Sequence, residues 1–370
     1  MNKIVRAHGP ANANIALVTD YPDKQELIAG EVLSGYSRYY IRNIFETTSI
    51  RDTDIYYTSV FKEALEPPLP KGNKDPLGFI EKSRDTKSDI KLLTEELLQV
   101  KPNVIVPLGD VALKVITGHY GNRKLAGSII RPRNGFGISH FTKIIPFLHP
   151  RQIRQDYRQI FPSSVYAGRV AKYANVKEFP EKDWTVRVIR NATELGEYFK
   201  KNKNAKIKVT DVETYLCFIT CIGFCCDGRE GISVPLLEKK ITDLEHSLMY
   251  RQITDFLQEG DYVNQNIGFD VNQLENHGFH IKNVIGDTMI MAGTLFPELD
   301  KNLGFLNSQY TEIPYFKDEG KEWNPKYNDK LYEYNAKDCI ATWRIWHEQI
   351  KEPKELNLLG FYQKGPQKFY

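Results

Sequence analysis

Three pairs of polar residues in the second half of the chain have the types and spacing for acid or metal chemistry. The first lies in Lys206–Thr214, KIKVTDVET, where Ile207 and Val209 alternate with Lys206, Lys208 and Thr210. A period of two marks a strand with one buried face, and continuing it puts Asp211 and Glu213 on the face of Ile207 and Val209. Two carboxylates so placed cannot both stay ionised in an apolar core. Either they reach solvent as the strand runs out into an acidic turn, or they share a cation. The second pair, Asn266 and Asp270, follows a short apolar strand start in VNQNIGFDVNQL. The third, Tyr334 and Asp338, lies in YEYNAKDCIATWRIW, a strongly helical run in which a four-residue spacing turns phenol and carboxylate to one face. If Asp211, Glu213, Asp270 and Asp338 converge, the site carries a charge of about −4 and is stable only with cations. An all-oxygen ligand set selects Mg²⁺ or Mn²⁺ over zinc.

The elements that must position these residues are alternating strands and helices. Around the first pair, Thr185–Ile189 reads as a strand and Ala192–Lys201 as a helix leading into the Asp211 strand. Phe218–Cys226 and Gly231–Pro235 read as antiparallel strands across the Asp227-Gly228 turn. His246–Gln258 and Lys301–Tyr310 read as helices, and Thr311–Lys330 as a polar loop. Beyond Ile350 the pattern predicts only a short tail broken by Pro353, Gly360, Gly365 and Pro366. In the first half, Asn14–Asp20, Asp54–Phe61, Asn103–Leu108 and Lys143–Leu148 read as strands. Ser34–Ser49, Asp89–Leu98 and Gly109–Ile116 read as helices, and Lys62–Lys87 as a long loop. Such alternation predicts a parallel α/β sheet with its chemistry beyond the strand carboxyl ends, at Asp20, Thr58, Ser59, Gly109 and His149. Phe179–Trp184, FPEKDW, is the natural boundary. The expected organisation is residues 1–178, 179–352 and a tail, 353–370.

The 370 residues are 41% hydrophobic and 26% charged, ordinary globular values that allow two domains. No run approaches the roughly 18 apolar residues that span a bilayer, so no membrane partner is expected. All five cysteines lie from Cys217 to Cys339. Cys217, Cys221 and Cys225 share parity on an apolar strand pattern, which points to core packing, with a metal site as the lesser alternative, and to a reducing, cytoplasmic setting. The net charge of +3 divides into +8 for residues 1–180 and −5 for the rest. Residues 121–180 hold eleven basic side chains against Asp156 and Glu178. Among them Arg151, Arg154 and Arg158 follow i, i+3, i+7, one stripe of a helix, which reads either as a solvated face or as a phosphate-binding stripe.

The order Asp-x-Glu on a strand, Asn-x-x-x-Asp, then Tyr-x-x-x-Asp on a terminal helix resembles the proofreading 3′–5′ exonuclease domains of family A DNA polymerases. Their fold is DnaQ-like, that is RNase H-like. Asp211-Val212-Glu213-Thr214 is similar to the first motif, Gln265-Asn266 with Phe269-Asp270 to the second, and Tyr334 with Asp338 to the third. Asp287-Thr288-Met289 resembles the step that opens the family's next helix. Glu333 stands where histidine-type relatives carry His, so the resemblance is to the tyrosine type. It covers roughly residues 184–350. It implies a mixed-sheet exonuclease with two Mg²⁺ or Mn²⁺ ions about 3.5–4 Å apart on Asp211, Glu213, Asp270 and Asp338. By the same resemblance Asp211 bridges the ions, and Tyr334 orients the attacking water. The ordinary phenol pKa near 10 argues against Tyr334 as sole base. Asn266 would orient the strand, with Thr214, Tyr215 and Leu216 touching substrate. Tyr215 and Leu216 either stack on the terminal base or pack in the core.

Residues 12–172 resemble the uracil-DNA glycosylase superfamily more loosely. The carriers are VTDYP at Val18–Pro22, YTSVFK at Tyr57–Lys62 with Pro67-Pro68, Pro107-Leu108-Gly109, and His149-Pro150 ahead of Arg154. Ser59 stands where that family places a base-reading Asn, and its single hydroxyl cannot make a bidentate contact. Asp20 is placed either to activate water or to cap a helix. The resemblance implies a DNA-binding domain using His149, Arg151, Arg154 and Arg158. Active uracil excision is the alternative. The expected substrate is single-stranded or frayed DNA, against the alternatives of RNA or a binding module with vestigial catalysis. Only 32 residues follow Asp338, too few for a polymerase domain by the family resemblance. The expectation is therefore a truncated or split polymerase, with the polymerase domain in cis or in trans, or a free-standing proofreader.

Overall fold

A computed structural model describes residues 4–65, 68–70, 72–319 and 329–365. The chain forms two compact units, Met1–Pro180 and Glu181–Tyr370, a division two residues from the expected boundary.

In the first unit, β1 (Ile15–Thr19), β2 (Ile55–Ser59), β3 (Val104–Pro107) and β4 (Lys143–Ile144) form a sheet in the order β2-β1-β3-β4. Every pairing among these strands is parallel. The unbroken apolar run IALVT suits a central strand covered on both faces. Its alternate residues enter two cores: Ile15 and Leu17 pack with Ile41, Phe45 and Phe147, and Ala16 and Val18 with Leu93, Leu97 and Val115. Three expectations fail here, the first being the strand read over Lys143–Leu148, of which only Lys143–Ile144 is strand. The stretch read as loop contains a helix, Pro76–Glu81, begun by an Asp75 cap whose carboxylate accepts the Gly78 N–H. Asp-Pro is a helix start as well as a turn signal. The arginine stripe is broken: the helix Pro150–Gln155 stops at Asp156, and Arg158 lies in the separate turn Tyr157–Gln159. Asp156 ends the helix in extended backbone and turns its carboxylate to the Arg158 N–H.

The second unit contains β5 (Thr185–Val188), β6 (Ile207–Tyr215), β7 (Phe218–Cys225), β8 (Glu230–Pro235), β9 (Asp261–Asn264) and β10 (Val284–Asp287). Their order is β10-β9-β6-β7-β8-β5. The β6–β7 and β7–β8 pairings are antiparallel, while β9 runs parallel to β6 and β10 to β9. Strands β6 to β10 thus have the mixed topology of the RNase H-like, DnaQ-like fold. The long helix Asp329–Gln349 packs across β6, β7 and β8. It comes so close that a Cβ on Gly231 would lie 2.4 Å from the Ala336 carbonyl oxygen.

Two further corrections fall in this unit. Cys217 is exposed in the β6–β7 turn rather than packed with Cys221 and Cys225. Leu216 and Cys217 take left-handed backbone, at φ 47° and 67°, to reverse the chain. Residues after 352 are not all tail: Glu352–Glu355 and Leu359–Lys364 are helical, and Pro353 sits in a first helical turn, where proline is tolerated. Tyr362 is buried, and its hydroxyl accepts the Asp287 N–H at 2.9 Å. The expected Thr311–Lys330 loop lies partly outside the described residues, as do Pro67 and Pro366.

Candidate active site

Strand β6 delivers Asp211 and Glu213 to one face, as its alternation predicts. A register shift between Glu213 and Thr214 disturbs the pairing with β7 just beyond them, a feature that re-aims side chains beside sites. Tyr334 and Asp338 share a face of the helix Asp329–Gln349. One ligand oxygen from each of Asp211, Glu213 and Asp338 lies within 4.8 Å of the others. Asp270 is on the helix Ile267–Asn276. Its Oδ1 accepts the Val212 N–H at 2.9 Å, so it sits against β6 between the first two acids but outside that tightest trio. Asn266 precedes this helix at φ 60° with its side chain exposed. Tyr215 and Leu216 are exposed at the turn, the latter at 73%. The core-packing alternative for these two is therefore excluded, and Thr214 is half-buried beside them.

The charges explain one another. Burial first, then the neighbouring Asp338 carboxylate, pushes Asp211 up to about 7. Burial, then Asp211 and Asp338, pushes Glu213 up to about 9. Asp270 is raised by burial and by Asp211, and Asp338 by burial against the opposing pull of Lys317. Tyr334 is buried, and burial with the Asp338 charge drives its phenol far above the ordinary value. It therefore keeps its proton, so its hydroxyl is able to donate a hydrogen bond and is unsuited to act as a base.

Sequence reasoning missed two residues here. Lys317 donates from Nζ to Asp338 Oδ2 at 2.7 Å and lies 4.4 Å from the Tyr334 ring centroid. It comes from the stretch read as a polar loop, where no periodicity marks it. Asn335 donates from Nδ2 to Asp211 Oδ2 at 2.8 Å. Its signal was its place three residues before Asp338, on the same side of the helix. Asp287 has a structural role, since its carboxylate accepts the N–H groups of Asn266, Ile267, Met289 and Ile290. One buried acid thus caps two helices and fixes the approach of Asp270.

Cations fit this donor set. Buried carboxylates that repel one another need a compensating charge, and Asp338 Oδ1 is buried without a hydrogen-bond partner among the described residues. Lys317 offsets only part of the repulsion.

In the first unit, Asp20 Oδ1 accepts the Ala112 N–H at 2.8 Å, so it caps the helix Asp110–Thr117 from the neighbouring strand end. Burial pushes it up to about 6. Ser59 is fully buried, and its hydroxyl has no partner among the described residues. Thr58 donates to Glu96, which also takes Lys62 Nζ at 2.8 Å. His149 caps the helix Pro150–Gln155, its Nδ1 accepting the Arg151 N–H at 3.2 Å. Burial and the Arg151 charge push its imidazole down to about 4, so it is neutral. Arg151 pairs with Asp23 at 2.7 Å and Arg158 with Asp156 at 2.7 Å, while Arg154 is exposed.

Among the described residues, no helix is long and apolar enough to cross a membrane. Residues 7–170 match the uracil DNA glycosylase superfamily. The chain is similar to a DNA polymerase of Bacillus phage SP01, at 22% identity over 94% of this chain and 41% of that one. It thus spans about two fifths of that relative. Among solved structures, Escherichia coli RNase D is 15% identical, with a TM-score of 0.41 over 50% of this chain and 49% of that one. Trypanosoma brucei RNase D is 14% identical, with a TM-score of 0.38 over 46% of this chain and 66% of that one. By family match and topology, this is an α/β chain with a uracil-DNA-glycosylase-like parallel-sheet unit ahead of an RNase H-like one.

Proposed function

We propose that the second unit is a 3′–5′ exodeoxyribonuclease that removes nucleotides one at a time from single-stranded or frayed 3′ ends. The observation that carries this reading is the convergence of Asp211, Glu213 and Asp338, from a strand and a helix far apart in sequence, within 4.8 Å. With Asp270 alongside, these residues would hold two Mg²⁺ or Mn²⁺ ions. Such ions supply an activated water and stabilise the leaving oxygen. The chain's own groups then have separable roles. Tyr334 donates its phenol proton toward the attacking water and fixes its orientation. Lys317 holds one oxygen of Asp338. The exposed Tyr215–Leu216 turn offers an apolar surface for an unpaired terminal base, and exposed Asn266 a polar contact to the strand.

Similarity to a phage DNA polymerase and to a glycosylase superfamily supports DNA as substrate and proofreading as the role. A polymerase domain in cis or in trans is the matching partner. The first unit serves as a DNA-binding module, because the fully buried Ser59 hydroxyl cannot read a base edge. The test uses matched DNA and RNA oligonucleotides labelled at the 5′ end, with Mg²⁺, Mn²⁺ or EDTA. The expected result is stepwise, EDTA-sensitive shortening of DNA that Asp211→Ala with Glu213→Ala abolishes. Activity surviving in that double variant overturns the proposal, and preference for RNA overturns the substrate.

A further inference from the structure

The register of the sheet places Asp211 opposite Gly223 on β7, and Gly223 opposite Ser233 on β8. Residues directly opposite on adjacent strands point to the same face, so Asp211, Gly223 and Ser233 form one row. The middle member has no side chain. A Cβ on Gly223 would lie 2.6 Å from Asn335 Oδ1 and 2.7 Å from Cys339 Sγ. The missing atom is therefore the space through which the helix Asp329–Gln349 lowers Asn335 onto the sheet.

Within that space Asn335 spans the row. Its Nδ2 donates to the Asp211 carbonyl oxygen at 3.0 Å and to the Asp211 carboxylate Oδ2 at 2.8 Å. Both amide protons are thus spent on one residue. The Ser233 hydroxyl donates to Asn335 Oδ1 at 2.7 Å, and this fixes which end of the amide faces Asp211. The contacts lie deep, with Asn335 and Ser233 fully buried. A buried amide needs its partners, and a buried hydroxyl that lacks an acceptor costs free energy. Neither side chain sits at an element end where it could serve as a cap: Asn335 lies inside its helix and Ser233 in mid-strand.

Resting on the nuclease reading above, we infer that Asn335 and Ser233 form a relay that positions Asp211 for its cations, with Gly223 as the gap that lets the relay reach. Asn335 clamps the Asp211 side chain to its own backbone, which removes rotamer freedom and leaves Oδ1 outside the clamp. Ser233 acts through Asn335 and touches neither metal nor substrate. Both are positioning residues. The relay also links the third sequence motif to the first, because Asn335 sits between Tyr334 and Asp338 on their helix.

The test titrates Mn²⁺ calorimetrically into metal-free protein of residues 1–370 and measures nucleotide release in parallel. The proteins are wild type, S233A, N335A and S233A/N335A, each with its melting profile in EDTA. Partners that orient a metal ligand are worth about 10- to 100-fold in metal affinity. N335A should lose that much Mn²⁺ affinity, with kcat falling and KM for the oligonucleotide unchanged. S233A, which removes one hydroxyl and is the milder change for folding, should lose less in the same direction. The double variant should match N335A, since Ser233 works through Asn335. Losses that add in the double variant, or wild-type Mn²⁺ affinity and kcat in S233A and N335A, overturn the relay. If the wild type itself takes up no Mn²⁺, the nuclease reading falls and the relay with it. Variants that match a Mn²⁺-binding wild type overturn the relay alone.

Discussion

Glu213→Gln isolates the electrostatic cost of the acidic site, because it removes a charge and keeps the shape. With ligand atoms within 4.8 Å of one another, each ionised pair repels by roughly 3 kcal/mol or more at an effective dielectric near 20. Lys317 cancels part of this through Asp338. The rest is relieved by holding a proton, which is why Glu213 is pushed up to about 9 by burial and its neighbours. In the unfolded chain the same group releases its proton near about 4.3. Between these values the native state binds the extra proton, so stability falls as pH rises, by about 1.4 kcal/mol per unit. The amide that E213Q introduces has no such proton to hold. From pH 6 to pH 8 in EDTA, wild type should therefore lose about 3 kcal/mol relative to E213Q. For a domain of this size that is roughly 6–12 °C of relative melting shift. Scanning calorimetry of both proteins at the two pH values measures it. Saturating Mg²⁺ at pH 8 should restore the wild type and leave E213Q nearly unmoved, since a cation replaces the proton. A constant difference between the two proteins at pH 6 and pH 8 would refute the reasoning.

Tyr334→Phe keeps the ring against Phe316, at 5.9 Å between centroids, and removes only the donor. The exonuclease rate should fall roughly 10- to 1000-fold with the melting temperature nearly unchanged, measured by single-turnover digestion. Tyr362→Phe strands the buried Asp287 N–H and should destabilise the second unit by about 1–3 kcal/mol in urea unfolding. Because Asp287 also caps the helix carrying Asp270, the same change should weaken Mg²⁺ protection in melting experiments. Uracil-containing DNA incubated with an Asp211→Ala variant should show no alkali-labile sites. Sites that appear at uracil and vanish on changing His149 or Asp20 would make the first unit a glycosylase.

The acidic trio was legible because its signal is local. Strand alternation sets the facing of Asp211 and Glu213, and helical spacing sets that of Tyr334 and Asp338. Neither needs tertiary knowledge. Lys317 was not legible, since its contact with Asp338 depends on the path of a connection with no repeat. Asn335 was half legible: its helix position is readable, but its bond to Asp211 depends on which strands flank β6 and on Gly223. The tail escapes for a related reason. Pro353 and Gly360 read as breakers, whereas proline in a first helical turn costs nothing, and the burial of Tyr362 against Asp287 comes from packing.

The arginine stripe fails because composition is not surface. Residues 121–180 do carry the one-sided charge, yet part of it is spent inside the fold. Lys143 turns its ammonium to the carbonyl oxygens of Val176, Lys177 and Glu178. Arg169 is buried, with its guanidinium on the Gly127 carbonyl oxygen. Arg151 and Arg158 are held by carboxylates, and Asp156 interrupts the helix that would have aligned them. What remains to draw DNA is net charge, since a field of one sign attracts phosphates without a fixed row of partners and is screened within about 10 Å at 0.1 M salt. DNA binding by the first unit should then be steeply salt-dependent. In filter-binding titrations across a salt series, it should weaken in proportion to charge removed anywhere in the unit's exposed basic set. A loss confined to changes at Arg151, Arg154 and Arg158 would restore the stripe and refute the diffuse field.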